Sequence, residues 1–141
     1  MDLLVYHLDS VNWWAVLLAS LASFAVGSAW YSPALFGKPW MKALGIKQKD
    51  IKTADMTVPM VVSGVLAFVT ATGLAALMHA LGFDTWIRGA VFGLLVGLAF
   101  VATNRGIHML FEQKAGLNLY LINAGHDLVF LALAGAIIGA L

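Results

Sequence analysis

Towards its C-terminal end the chain reads Asn104-Arg105-Gly106-Ile107-His108-Met109-Leu110-Phe111-Glu112, then Gln113-Lys114-Ala115-Gly116, then Leu117-Asn118-Leu119-Tyr120-Leu121-Ile122-Asn123-Ala124-Gly125-His126-Asp127. Half of the Asp, Glu, His, Lys and Arg residues outside a Lys-rich loop (residues 34–57) lie in this stretch, six of twelve, within or beside apolar segments. An ionised group inside a membrane costs at least a few kcal/mol unless it is paired. The connecting turn is short, so the two segments must be antiparallel neighbours. We therefore expect their polar side chains to pair with one another.

The composition around this stretch is that of an integral membrane protein. Of 141 residues, 62% are hydrophobic and 11% are charged, whereas soluble domains carry about 25% charged residues. The length predicts a single membrane domain over residues 1–141. A net charge of +1 gives no indication of a nucleic-acid partner. The absence of cysteine excludes disulfides, thiolate catalysis and Cys-ligated metals.

Four apolar runs are each long enough to cross the roughly 30 Å hydrocarbon core of a bilayer. They predict spans at about 12–31, 58–81, 85–111 and 117–141. Asn12 is suited to cap the first helix, and Ser32-Pro33 should end it, because the residue before proline resists the helical conformation. A signal peptide begins with a basic segment, but no Lys or Arg precedes Lys38. The first run is therefore predicted to be a retained helix.

The loop between the first two spans, residues 34–57, is rich in lysine. Within it, Pro39 to Gly45 has the pattern of a short amphipathic helix, with Pro near its start and Gly at its end. We expect this helix to lie on the membrane surface, although a solvated linker would fit the same short pattern. The fold class predicted is thus an all-α, four-helix transmembrane bundle with one interfacial helix.

Basic residues are distributed unequally between the two sides of this bundle. The first loop holds five lysines and the third holds Lys114, whereas the second connection offers Arg88 alone. Because loops rich in Lys and Arg stay in the cytoplasm, both termini are predicted to lie on the outer side. The expected location is the bacterial inner membrane, with the lipid bilayer as the first partner.

Small residues recur at every fourth position of each span. Such spacing lets membrane helices approach closely, which is how they gain contacts without a hydrophobic driving force. A stripe that no other helix of the same chain covers would be the contact surface for a second copy in a homo-oligomer. The stripes are Ala15, Ala19, Ser23 and Gly27; Ala67, Ala71 and Ala75; Gly89, Gly93 and Gly97; and Ala132, Ala136 and Ala140.

The polar residues of the last two spans predict a pocket at the cytoplasmic half. Arg105 would lie roughly 10 Å from the end of its helix and Asp127 roughly 15 Å into the next, at about 1.5 Å per residue. An Arg side chain can cover the difference, so Arg105 and Asp127 are predicted to form a buried pair. His108 and Asn123 would then be close enough to join by hydrogen bonds. The pocket residues expected are Tyr31, Asn104, Arg105, His108, Asn123, His126 and Asp127.

Other chemistry receives little support from the residues. His108 and His126 could serve as axial haem ligands, and zinc would need further ligands such as Glu112 and Asp127. No hydrolase elbow, phosphate-binding glycine loop or His-Glu-x-x-His motif occurs. We therefore expect no catalysis, no cofactor and no metal.

Several blocks of the sequence also resemble a known family. Trp30-Tyr31-Ser32-Pro33 closes the first span, Ile122-Asn123-Ala124-Gly125 lies in the fourth, and Gly135-Ala136-Ile137-Ile138-Gly139 ends the chain. In this order they resemble the bacterial membrane family catalogued as domain of unknown function 1761. The resemblance implies four spans and no assigned activity. The family usually has Tyr where His126 stands, and carries an acid at position 127 less regularly than the Asn123 block.

Three functional hypotheses follow from these patterns. In the first, the polar pocket binds or permeates a small polar solute, or relays protons, with the ligand unknown. In the second, the protein is a structural or accessory component and the polar residues only fix the helix register, a role known for buried ion pairs. The third, more remote, is haem or metal binding.

Overall fold

The computed structural model describes residues 11–47, 49, 51, 53–111 and 116–141, with backbone alone at 53–55. Within these ranges the chain is helical and contains no strand. Four helices are long and apolar enough to cross a membrane, so the predicted all-α membrane bundle is confirmed. The elements are α1 (Trp13–Trp30), α2 (Gly37–Leu44), α3 (Thr53–Leu81), α4 (Trp86–Val96), a π-helical segment (Gly97–Ala102), α5 (Thr103–Phe111) and α6 (Leu117–Ala140).

The first span is α1, and local chemistry sets both of its ends. The Asn12 carboxamide oxygen accepts from the backbone N–H groups of Trp14 and Ala15, at 3.1 and 3.3 Å. These bonds satisfy two donors that a helix start leaves without partners. The helix ends at Trp30, just before the Tyr31-Ser32-Pro33 turn.

The second span is α3, which starts at Thr53 rather than near residue 58. Pro59 therefore lies inside the helix and not in its first turn. The third span consists of α4, the π segment and α5 in succession, and the fourth is α6. Thr85 caps the third span by accepting from the Arg88 backbone N–H at 3.4 Å.

The interfacial helix α2 starts two residues before the predicted Pro39. It ends where Gly45 adopts a left-handed conformation with φ of 70°, as is common for glycine after a helix. Lys38 and Lys42 are exposed on it, and the helix packs against the fourth span. The expectations for Glu112 and Lys114, and for residues 48, 50 and 52 of the loop, lie outside the described residues.

The spans pack in the order third, fourth, first, second, and the tightest interface joins the third to the fourth. Gly89 and Gly135 face each other across it. A Cβ added to either glycine would collide with the backbone carbonyl of the other, and a Cβ at Gly93 would collide with the carbonyl of Leu131. These two helices are therefore in direct backbone contact, which glycine alone permits.

The small-residue stripes are buried in the first three spans but not in the fourth. Ala15 and Ala19, then Ala67, Ala71 and Ala75, then Gly89, Gly93 and Gly97 are all buried, while Ser23 and Gly27 are half-buried. In the fourth span the expected stripe is the one left uncovered, since Ala132 and Ala136 are half-buried and Ala140 is exposed. The buried face is instead Leu131, Gly135 and Gly139. It lies one residue earlier, or about 100° around the helix, because the backbone contacts of the two glycines orient this span.

Candidate functional site

Five polar side chains from three spans meet near the end of the bundle that carries the lysines of the first loop. We call this the Lys-rich end. The five residues, named the polar cluster, are Tyr31, Arg105, Asn123, His126 and Asp127. The first span ends at Tyr31, the third provides Arg105, and the fourth provides the rest.

An ion pair lies at the centre of the polar cluster. The Arg105 Nε–H donates to Asp127 Oδ2 across the third and fourth spans. The Asp127 side chain is 16% exposed, but that of Arg105 is 46% exposed. The sequence predicted a buried pair. The structure covers the carboxylate and leaves the guanidinium half open.

His126 extends the ion pair towards the first span. Its Nδ1 lies 3.1 Å from Asp127 Oδ1, so both carboxylate oxygens have a partner. The imidazole packs against the rings of Trp30 and Tyr31, with centroids 6.4 and 5.2 Å away. Gly27 faces it, since a Cβ there would lie in ordinary contact with Nε2, at 3.6 Å.

Tyr31 joins the polar cluster to the interfacial helix. Its hydroxyl donates to Asn123 Oδ1 at 3.0 Å. On its other side the Trp40 ring packs edge-on, with centroids 5.3 Å apart. A movement of α2 would therefore displace the Tyr31 side chain, which donates the hydrogen bond to Asn123.

Sequence reasoning missed the role of Trp30. Its indole Nε1–H donates to the Ile122 carbonyl at 2.9 Å. A Cβ at Gly125 would lie 2.9 Å from the indole ring, so the glycine leaves room for it. The sequence signal for this contact was Gly125 itself, because a glycine in the middle of a membrane helix leaves room for a large side chain from a neighbouring helix.

Two expected pocket residues lie at exposed positions. Asn104 and His108 both belong to α5, the helix that also carries Arg105. Asn123 accepts a hydrogen bond from Tyr31, which ties the fourth span to the end of the first.

The π-helical segment Gly97–Ala102 explains how Arg105 reaches Asp127. On a regular α-helix, about 100° per residue would place Arg105 about 160° from Gly89, away from the fourth span. A π turn takes up one additional residue and so turns the following helix back by about 100°. Arg105 then lies about 60° from Gly89, between the directions of Gly93 and Gly97. The segment thus brings the glycines and the arginine onto one face.

This geometry predicts unequal effects for two deletions in the π segment. Deleting Phe100, whose side chain is 71% exposed, should give a regular α-helix that keeps Arg105 opposite Asp127, with stability changed by no more than about 1 kcal/mol. Deleting Ala99 and Phe100 together should rotate Arg105 by about 100° and break the pair. The check is the stability cost of Asp127→Leu in each background: it should persist after the single deletion and vanish after the double. Equal costs in the two backgrounds would contradict this account of the segment.

A cavity of about 220 Å³ lies at the opposite end of the bundle, lined by Asn12, Met78, His79, Phe83 and Asp84 among others. It is therefore separate from the polar cluster, where the sequence placed the pocket. The Asp84 carboxylate at its rim pairs with Arg88 at 3.4 Å, and both side chains are exposed.

Comparison with known proteins identifies the family but no function. Residues 14–139 match a family described as protein of unknown function (DUF1761). The chain belongs to this family. No curated protein and no solved structure matches it.

The two blocks that carry the resemblance to DUF1761, Trp30-Tyr31-Ser32-Pro33 and Ile122-Asn123-Ala124-Gly125, are in contact in the structure. Trp30 donates to Ile122 and lies over Gly125, while Tyr31 donates to Asn123. The end of the first span is thereby fixed to the middle of the fourth. The contact gives the blocks a shared structural role that their separation in sequence concealed.

The described part of the chain has no group of three His, Cys, Asp or Glu side chains arranged to hold a metal. His126 is paired with Asp127 and packed between two aromatic rings, and His108 lies at an exposed position of another span. What the polar cluster does offer chemically is a carboxylate between a guanidinium and an imidazole, beside an amide and a phenol.

Proposed function

We propose that this DUF1761 protein binds a small polar solute, or passes protons, at the polar cluster. The observation that carries the proposal is the linked set Arg105–Asp127–His126, packed against the Tyr31–Asn123 pair and drawn from three spans. Ionisable groups within membrane helices are costly to maintain and generally serve function. In this proposal the protein is not an enzyme.

The proposed location is the bacterial inner membrane, with the Lys-rich end in the cytoplasm and both termini outside. The lysines of the first loop support this orientation, because basic loops stay in the cytoplasm. The polar cluster would then face the cytoplasmic half of the bilayer, and the half-open Arg105 side chain would provide access from that side. The homo-oligomer expected from the sequence would use the Ala132, Ala136 and Ala140 stripe, which the fold leaves least covered.

The groups of the polar cluster are suited to either activity. The Asp127 carboxylate lies between two nitrogen partners and can exchange a proton with the imidazole beside it. The Asn123 amide and the Tyr31 hydroxyl supply both donors and acceptors for a polar solute. Asp127 is common to both activities and is therefore the residue to test.

In sealed liposomes, Asp127→Asn is expected to reduce proton or solute flux to the level of protein-free vesicles. The substitution preserves shape but removes the charge that balances Arg105 and the site for a proton. Flux is measured with an enclosed pH dye and by osmotic swelling with small polar solutes. The matched control is Asp84→Asn, which breaks the exposed pair with Arg88 at the other end of the bundle and should leave flux unchanged. Tight wild-type vesicles together with no solute binding would refute the proposal.

A packing role is the second candidate, and one observation favours it. The Arg105–Asp127 pair crosses the same interface that Gly89 and Gly135 close, and the Tyr31–Asn123 bond joins the first span to the fourth. Under this alternative the polar cluster fixes register and Asp127→Asn changes stability alone.

A further inference from the structure

The guanidinium of Arg105 uses only part of its hydrogen-bonding capacity. It bonds Asp127 through Nε, and neither of its terminal Nη nitrogens donates to a side chain or backbone group in the described ranges. The side chain is 46% exposed. A planar guanidinium carries five N–H donors in a fixed fork, so the edge formed by the two Nη atoms remains open.

The polar cluster holds this open edge in a fixed position. Asp127 accepts from Nε with one oxygen and lies next to His126 with the other. The carboxylate is itself only 16% exposed and cannot swing freely. Because Nε–H points at Asp127 and the guanidinium is planar, the edge that carries the two Nη groups points in a different direction from the carboxylate.

Several lysines lie at the same end of the bundle as this edge. Lys38, Lys42, Lys47 and Lys49 are exposed at the same end of the bundle, and α2, which carries two of them, packs against the fourth span. Asp127, the acid nearest to Arg105, is already neutralised by it. Basic residues around a low-dielectric site raise the local concentration of anions.

We propose that Arg105 binds an oxyanion, either a phosphate or a carboxylate group of the ligand, through its two Nη nitrogens. Paired parallel N–H bonds from guanidinium to such groups are among the strongest hydrogen bonds in proteins. This inference rests on the proposed function, since it names the ligand class of the same site. The oxyanion belongs either to a solute dissolved in the cytoplasm or to an anionic phospholipid headgroup.

The first arm of the test measures binding of inorganic phosphate to the whole protein in phosphatidylcholine nanodiscs. Calorimetric titration is run against sodium chloride at equal ionic strength. Arg105→Gln should abolish binding. Arg105→Lys should weaken it by about tenfold or more, because an ammonium group cannot reproduce the two-pronged geometry. The control is Arg88→Gln, whose guanidinium also pairs with one aspartate but lies at the far end, and it should bind as the wild type does.

The second arm distinguishes the source of the oxyanion. Protein is exchanged into nanodiscs containing phosphatidylglycerol, and retained lipid is counted by native mass spectrometry. Retention that depends on Arg105, with no binding of free phosphate, assigns the site to a lipid headgroup. If wild-type protein shows neither phosphate binding nor selective lipid retention, the inference is overturned. This result needs only the wild-type protein, so it stands even if the Arg105 variants do not fold.

The outcomes also separate this inference from the function on which it rests. Flux of a neutral or cationic solute that requires Asp127, without any oxyanion binding, would overturn the inference alone. If the protein binds an oxyanion through Arg105 but its vesicles show no flux, the inference is supported. The proposed function is then limited to solute binding, and transport is excluded.

Discussion

Replacing Gly89 with valine is expected to separate the third and fourth spans and to destabilise the protein by at least about 3 kcal/mol, the upper end for overpacked sites. The added side chain would meet the backbone carbonyl of Gly135, which cannot rotate away as a side chain can. The helices would have to move apart along their whole length, which would also open the contact between Gly93 and Leu131. Unfolding in mixed detergent micelles, followed by circular dichroism, measures the loss.

The matched control for this prediction is Gly73→Val in the second span. Gly73 also lies inside a membrane helix, but it is exposed and has no other atom within 4 Å of an added Cβ. Since valine is no worse than glycine in a helix, this variant should be as stable as the wild type. Equal stability of the two variants would show that the third and fourth spans do not depend on backbone contact.

The second large effect is expected for Asp127→Leu, which leaves the Arg105 charge without its partner. Breaking a buried pair from one side costs about 3–5 kcal/mol, and the half-exposed guanidinium places this variant near the lower value. Replacing Arg105 with leucine as well should restore most of the stability, because no unpaired charge then remains. Reversible unfolding of the two single variants and the double variant measures the coupling.

The double variant also decides between the two candidate functions. A stable double variant that keeps wild-type flux or binding would establish the packing role and remove the proposed one. A stable double variant that has lost them would show that the ion pair acts beyond packing. Asp84→Leu serves as the control, since the exposed Asp84–Arg88 pair should contribute no more than about 1 kcal/mol.

The sequence predicted those features that depend on local chemistry. The spans follow from the length of apolar runs, and the end of the first from Ser32-Pro33, because neither needs knowledge of a distant contact. The meeting of Arg105 with Asp127 was also accessible, since a short turn allows only antiparallel neighbours. The interfacial helix likewise follows from its own short pattern.

Features that depend on how helices face one another could not be obtained in the same way. The fourth span contains several small-residue faces, and only the backbone contact of Gly135 with Gly89 selects among them. The bond from Tyr31 to Asn123 forms because the first span packs on the fourth. Nothing in the spacing of the last two spans contains that information.

The π segment lies between these two cases. Its cause is visible in the sequence, because the glycine face and Arg105 are out of phase on a regular helix. Resolving the mismatch, however, requires knowing that both must contact the fourth span. The sequence shows that the glycines and Arg105 would lie on different faces of a regular helix, and the packing on the fourth span explains why a π turn brings them onto one face.

A π turn of this kind is the structure expected from the insertion of one residue into an α-helix whose contacts on both sides of the insertion are kept. A helix with an extra residue must either rotate everything beyond it or absorb the excess in one widened turn, and widened turns of this kind often occur at functional sites. Relatives one residue shorter between these glycines and this arginine should therefore have an unbroken α-helix with the same partners facing each other. Length variation at this one place, and not at the neighbouring turns, would be the evolutionary trace of the contact.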